Sequence, residues 1–135
     1  MEAQVDQEKA QAIVENAVSV IKEKLMAQPL YAEVICQQLV RACPEYADGY
    51  HLLGLIKQRL QQFDEGVTII KRAIELDPDN ADNYNNIALC YANLGEYELA
   101  KENLDTQLRN QIEDEAYVPF GDRSVPYADF FSVAK

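Results

Sequence analysis

Apolar residues recur at helical spacing through most of this chain. Val14, Ala17, Val18, Ile21 and Leu25 fall three or four residues apart, which predicts one helix over about Asp6–Ala27. Gln28-Pro29 breaks it, and Pro29 suits the first turn of a second helix that runs to Ala42. Ala32, Ile35, Cys36, Leu39 and Val40 form the inner side of that helix. Pro44 stops it, because a proline pushes the residue before it out of the helical region. The same periodicity predicts helices at Ala47 to about Gln61, Asp64–Leu76, Asp82–Asn93 and Tyr97 to about Glu113. Asp77-Pro78-Asp79-Asn80 reads as a turn cluster, and Gly95 as the left-handed residue that closes the fifth helix.

Two of these stretches are versions of each other, displaced by 34 residues. Pro44-Glu45-Tyr46-Ala47-Asp48 returns as Pro78-Asp79-Asn80-Ala81-Asp82. Tyr50, Leu53 and Gly54 then answer to Tyr84, Ile87 and Ala88, while Phe63, Gly66, Ile70 and Ile74 answer to Tyr97, Ala100, Leu104 and Leu108. A repeat of this length with helical periodicity implies stacked helix pairs, since no pair can bury its apolar face alone. The small residues Gly54 and Ala88 are expected to meet Gly66 and Ala100 where paired helices cross. There the axes can approach to the short end of the usual 8–10 Å range.

The repeat fails after Leu104. The echo of Pro44 and Pro78 falls on Ile112, and the echo of Ala73 falls on the polar Gln107, so the array is expected to end there. The chain therefore divides into a helical repeat domain at 1–114 and a tail at 115–135. Tyr117, Pro119, Phe120, Gly121, Pro126, Tyr127, Phe130 and Phe131 mix aromatic residues with helix breakers. Val118–Val125 is expected to be irregular and Pro126–Ala134 to form a short seventh helix. Leaving these rings in water is costly, at roughly 25 cal/mol per Å² of apolar area. They are expected to cap the array, fill a groove of their own chain, or pass to a neighbouring molecule and make a homo-oligomer.

Size and composition suit one soluble domain with a real core: 135 residues, 48% hydrophobic and 26% charged. No apolar run approaches the roughly 18 residues that span a bilayer, and the acidic start Met1-Glu2-Ala3-Gln4-Val5-Asp6 is no secretory signal. A net charge of -11 argues against nucleic acid, which needs clustered Lys and Arg. The one basic pair, Lys71-Arg72, stands among Asp64, Glu65 and Glu75.

Three cysteines, Cys36, Cys43 and Cys90, sit on apolar helix faces. Cys36 and Cys43 would lie about 10 Å apart along one helix, too far for a disulfide. Free thiols fit a reducing, cytoplasmic setting. The sole histidine, His51, has no neighbour in sequence that would make it a metal ligand or catalytic base. Phosphate-binding loops, nucleophile motifs and Cys-x-x-Cys pairs are missing from the sequence. The expectation is a non-enzymatic chain with no metal and no cofactor.

The order Tyr84, Ile87, Ala88, Tyr91, Gly95, Tyr97, Ala100, Leu104 resembles the tetratricopeptide repeat (TPR) pattern. So does Tyr50, Leu53, Gly54, Phe63, Gly66, Ala73, Pro78. The resemblance covers Ala47–Asn80 and Ala81–Asp114, with a degenerate repeat before them over about 10–46 that keeps Ala32 and Pro44 in phase. It implies an all-α, right-handed solenoid of about three helix pairs that serves as an adaptor or scaffold, binding a peptide or protein segment in a concave groove. The first helix of each pair lines that groove. One repeat would supply Asp48, His51, Leu52, Leu55, Gln58 and Arg59, and the next Asp82, Asn85, Asn86, Leu89, Ala92 and Asn93. Asn86 stands where peptide-binding members carry an asparagine whose amide can both donate to and accept from a peptide backbone.

A subgroup of the family clamps a C-terminal carboxylate with Lys, Asn and Arg. Here His51, Leu52, Leu55 and Asp82 occupy places where that clamp needs cationic or amide groups. A neutral or basic partner is therefore expected rather than an acidic one. Two other roles stay open: an accessory or self-assembling part of a larger enzyme or complex, and a small acidic chaperone of the secretion type.

Overall fold

The computed structural model describes the backbone of residues 2–120 and the surroundings of side chains 6–112. Within them lie six helices and no strand: α1 Glu2–Lys24, α2 Pro29–Ala42, α3 Ala47–Arg59, α4 Phe63–Leu76, α5 Ala81–Asn93 and α6 Tyr97–Phe120. Each helix packs on the next in sequence, and α3 also touches α1 and α5. The odd-numbered helices thus share one wall of a three-pair stack. This is the α-solenoid that the 34-residue repeat implies.

Two apolar clusters hold the stack. Ile21, Ala32, Cys36, Leu39, Leu52, Leu53 and Ile56 join α1, α2 and α3, with Leu60 and Ile69 packed against them. Val67, Ile70, Ile87, Ala88, Cys90, Tyr91 and Ala100 join α4, α5 and α6. The expected crossing of small residues is present. A Cβ added to Gly66 would stand 3.9 Å from the carbonyl oxygen of Gly54, and Ala88 and Ala100 are both buried.

The repeat is reproduced down to single hydrogen bonds. Tyr50 Oη donates to the carbonyl of Pro44 at 2.9 Å, and Tyr84 Oη donates to the carbonyl of Pro78 at 2.8 Å. The turns that follow α3 and α5 also match. Gln62 N–H donates back to Lys57 (2.8 Å) and Glu96 N–H back to Tyr91 (2.8 Å), the six-to-one bond of a Schellman ending. Gly95 supplies the left-handed residue with φ +81, as expected, but its counterpart is Gln61 with φ +62.

Some boundaries differ from the sequence reading. α1 starts at Glu2 and stops at Lys24 rather than Ala27. α3 ends at Arg59, because Gln61 leaves the right-handed region. α6 continues past Glu113, and Val118, expected to be irregular, is helical. Glu113-Asp114-Glu115-Ala116 carry no breaker, and Pro119 comes only one residue before the helix ends. The expected seventh helix lies outside the described residues.

All three cysteines are free, as expected. Cys36 donates its thiol to the carbonyl of Gly49 at 3.3 Å, and burial pushes that thiol up to about 12. Burial likewise raises Cys90, whereas Cys43 is half-buried.

Candidate functional site

Because α1, α3 and α5 rise side by side, side chains one turn apart on α3 look across at α1 and α5. The surface between them carries two adjoining hollows. One, of about 320 Å³, is lined by Val18 and Lys22 of α1, Leu25 of the turn that follows it, Asp48, His51, Leu52 and Leu55 of α3, and Asn80. The other, of about 390 Å³, shares Leu25 and Leu55 and adds Met26, Gln58, Arg59, Gln61, Phe63 and Asn93. The result is a trough with an apolar floor and a polar rim.

Seven of the residues expected to line a groove meet in this trough: Asp48, His51, Leu52, Leu55, Gln58, Arg59 and Asn93. Their roles differ. Leu52 is almost wholly buried and forms floor, Leu55 and His51 are half-buried, and Asp48 and Arg59 stand at the exposed rim. Arg59 also reaches across to the turn after α1, donating from Nη2 to the carbonyl of Met26 at 3.3 Å. Asn93 is exposed, with its amide donating to the carbonyl of Leu89 at 2.8 Å.

Asp82, Asn85, Asn86 and Leu89 lie in neither hollow. Asp82, Asn85 and Leu89 are exposed on α5, but Asn86 is buried, with only 9% of its surface accessible. Ala92 is half-buried and packs against the second cluster.

The α1 wall escaped the sequence reading. Val18 and Leu25 belong to the apolar stripe of α1, which reads as core, yet only Ile21 of that stripe is fully buried. A stripe wider than the seam it fills is the signal that could have found them. Lys22, one turn before Met26, brings a cation into the hollow that contains Asp48.

Two polar arrangements brace the trough from below. His51 Nδ1 lies 2.6 Å from Oδ1 of Asn83, which ties α3 to α5 and fixes the ring that faces the hollow. Asn83 is 1% exposed, and its Nδ2 has no hydrogen-bond partner among the described residues. Behind α3, Lys57 points the other way, into an ion cluster in which Lys57 and Glu33 are shielded and Glu65 is exposed. Its Nζ stands 2.6 Å from Glu33 Oε2 of α2, 2.6 Å from Glu65 Oε2 of α4 and 3.0 Å from Gln62 Oε1. Burial alone would lower the Lys57 pKa, but the bonds to Glu33 and Glu65 outweigh it and hold the ammonium above its usual range.

Among the described residues no group of three His, Cys, Asp or Glu could hold a metal ion. None of their helices is long and apolar enough to cross a membrane. The hollows instead present apolar patches, amides and isolated charges, which can hold a chain but show no activated nucleophile or acid–base pair.

Comparison with known proteins agrees with the helical-repeat fold. Two models described as tetratricopeptide repeat match the chain, one over residues 47–80 and one over 69–102. No curated protein matches it in sequence. Among solved structures, MamA is similar with a TM-score of 0.72 and 21% identity, over 77% of this chain and 61% of that one. The chain thus spans less than two thirds of MamA. The TPR2B domain of yeast Sti1, in complex with an Hsp70 peptide, is similar with a TM-score of 0.71 and 26% identity, over 76% of this chain and 84% of that one. The Yersinia enterocolitica type III secretion translocator chaperone SycD reaches a TM-score of 0.70 at 15% identity, over 77% and 83%.

Proposed function

Since this chain is a tetratricopeptide repeat protein, we propose that it is a non-enzymatic adaptor that binds an extended protein segment along the trough of α1, α3 and α5. The observation that carries the reading is the pair of adjoining hollows on one apolar floor. Leu25 and Leu55 form the ridge between them, so a segment crossing the ridge can set one apolar side chain on each side. Apolar area buried this way supplies affinity, while the rim amides of Gln58 and Asn93 can meet the segment's backbone. The similarity to a peptide-bound Sti1 domain supports this use of the surface.

Charge sets the preference. Lys22 and Arg59 stand against Asp48 in the two hollows, so the trough itself carries a small net positive charge. The chain as a whole is strongly acidic, with 23 acidic against 12 basic residues. Neutral segments carrying two apolar anchors, with basic residues outside the hollows, are the class that fits. The same acidity disfavours nucleic acid and acidic tails.

The test uses a library of short peptides of varied charge, screened against the wild-type chain and against Leu55→Asp. Enrichment of apolar, neutral-to-basic peptides that Leu55→Asp abolishes, at an unchanged helical spectrum, is the expected result. Equal enrichment by both proteins, or selection of acidic peptides, rules the trough out.

A further inference from the structure

The first helix pair leaves large apolar side chains in water. Leu30, Tyr31 and Val34 of α2 are 66%, 53% and 56% exposed, and Ile13 of α1 is 69% exposed. Beside them a hollow of about 240 Å³ opens between the two helices. Its walls include Ile13, Val14 and Ala17 of α1 with Ile35, Gln38 and Ala42 of α2. Tyr31 stands four, seven and eleven residues before those last three, so it lies on the stripe of α2 that walls the hollow. One helix thus carries both an exposed ring and an apolar hole, about 10 Å apart along its axis.

We propose that this face binds a second copy of the chain, with the two α2 helices antiparallel and Tyr31 of each copy seated in the hollow of the other. A knob and a hole on one stripe are self-complementary about a two-fold axis, which here passes beside Val34 and Ile35. An unrelated partner would use one of these features and leave the other bare. Charge permits the approach. The chain carries 23 acidic against 12 basic residues, yet α2 has a single acid, Glu33, which Lys57 holds at 2.6 Å. The exposed charge of α2 is the cation Arg41. In the pair the two Arg41 side chains would stand about 18 Å apart along the helices, beyond the screening length of about 8–10 Å. On α1 the stripe that borders the hollow runs through Lys9, Ile13, Ala17, Val20 and Lys24. Two such faces meet without the repulsion that most of this acidic surface would impose. The two helices offer a face about 20 Å square, which the relief of ring and hollow brings toward about 600 Å² per copy, the low end of stable interfaces. A dimer that forms in the micromolar range is therefore expected. Val18 and Lys22 face the trough from the other side of α1, so pairing leaves both troughs open. This inference does not depend on what the trough binds.

The test is sedimentation equilibrium of the full chain over a micromolar concentration series. The expected outcome is a reversible monomer–dimer equilibrium. Tyr31→Asp removes the knob, and Ala42→Phe fills the hollow from within its own chain. Each should weaken dimerisation about tenfold or more. Both positions are exposed, so each variant is expected to keep the wild-type helical spectrum. Mixing the variants tests reciprocity. A mixed pair can seat Tyr31 of the Ala42→Phe chain in the open hollow of the Tyr31→Asp chain, so the mixture should dimerise more tightly than either variant alone. A chain that stays monomeric throughout the series overturns the proposal. So does a dimer that either substitution leaves unchanged, which would mean pairing through another surface. Growth beyond the dimer, or a mixture no tighter than its parts, overturns the two-fold geometry and the proposal with it.

Discussion

A methyl group at Gly54 would stand 2.5 Å from Cγ1 of Ile70, and Ile70 is wholly buried and hemmed in by the second cluster. Gly54→Ala should therefore lower stability by about 1–3 kcal/mol, the usual cost of overpacking, read as a shift in the urea midpoint at constant slope. Gly66→Ala meets the softer Sγ of Cys90 at 3.2 Å and should cost less. These crossings were legible from the 34-residue echo because small residues recur where axes must approach. Lys57 was not legible. A lysine in a helix reads as solvated surface, and only the fold shows Glu33 and Glu65 converging on it from α2 and α4. Lys57→Met leaves Glu33 shielded without its counter-charge and should destabilise by up to about 3 kcal/mol near neutral pH. The sign with pH follows from the raised folded-state value. The ion cluster contributes fully below the unfolded lysine pKa of about 10.4, and its contribution is lost as pH climbs through the folded one. Stability of the wild-type chain should thus fall toward Lys57→Met above that pH, a convergence that urea titrations at neutral and strongly alkaline pH would measure.

Helix endings carry their own logic. The turns after α3 and α5 have the same hydrogen bonds, yet one places Gly95 and the other Gln61 in the left-handed region. A side chain there costs roughly 1–2 kcal/mol, partly recovered because glycine loses more entropy on folding. Gln61→Gly should stabilise by about 0.5–1 kcal/mol, while Gly95→Gln should destabilise by a similar amount, both read from thermal melts. Gln61 also lines the larger hollow, so an unchanged peptide profile would confirm that the gain is one of backbone alone. At this scale, element identity was readable wherever a breaker stood at a repeat echo. Pro44 and Pro78 announce their turns, and α3 was misjudged by two residues only because Gln61 gives no such signal. α6 was misjudged for the converse reason: no breaker stands at Ile112, and the helix runs through the place where a turn would be.

For the molecule as a whole, the groove residues on α3 were readable because a helix in a repeat presents the same positions at each turn. The α1 wall was not, because the first pair departs from the repeat and its apolar stripe has two uses. Val18 and Leu25 face the trough while Ile21 faces the core, a division set by where α3 lies rather than by residue type. On the proposed reading, that division separates two contributions to binding. The acidic field of the chain acts at long range and is screened over about 8–10 Å at moderate salt, so it governs encounter with a basic segment. The apolar floor acts only on contact, so it governs residence. For a neutral-to-basic peptide taken from the library screen, raising salt should slow association several-fold with little change in dissociation, measured by surface plasmon resonance. Leu25→Asn should do the reverse, speeding dissociation while leaving the salt dependence of association unchanged. Asp48→Asn tests whether the charge effect is local. The hollow around it already contains Lys22, so this substitution should alter association less than the change in salt does, because the steering field belongs to the whole acidic surface. A large loss of affinity in Asp48→Asn, greatest at low salt and expressed in dissociation, would instead place a direct ion pair with the peptide at that rim.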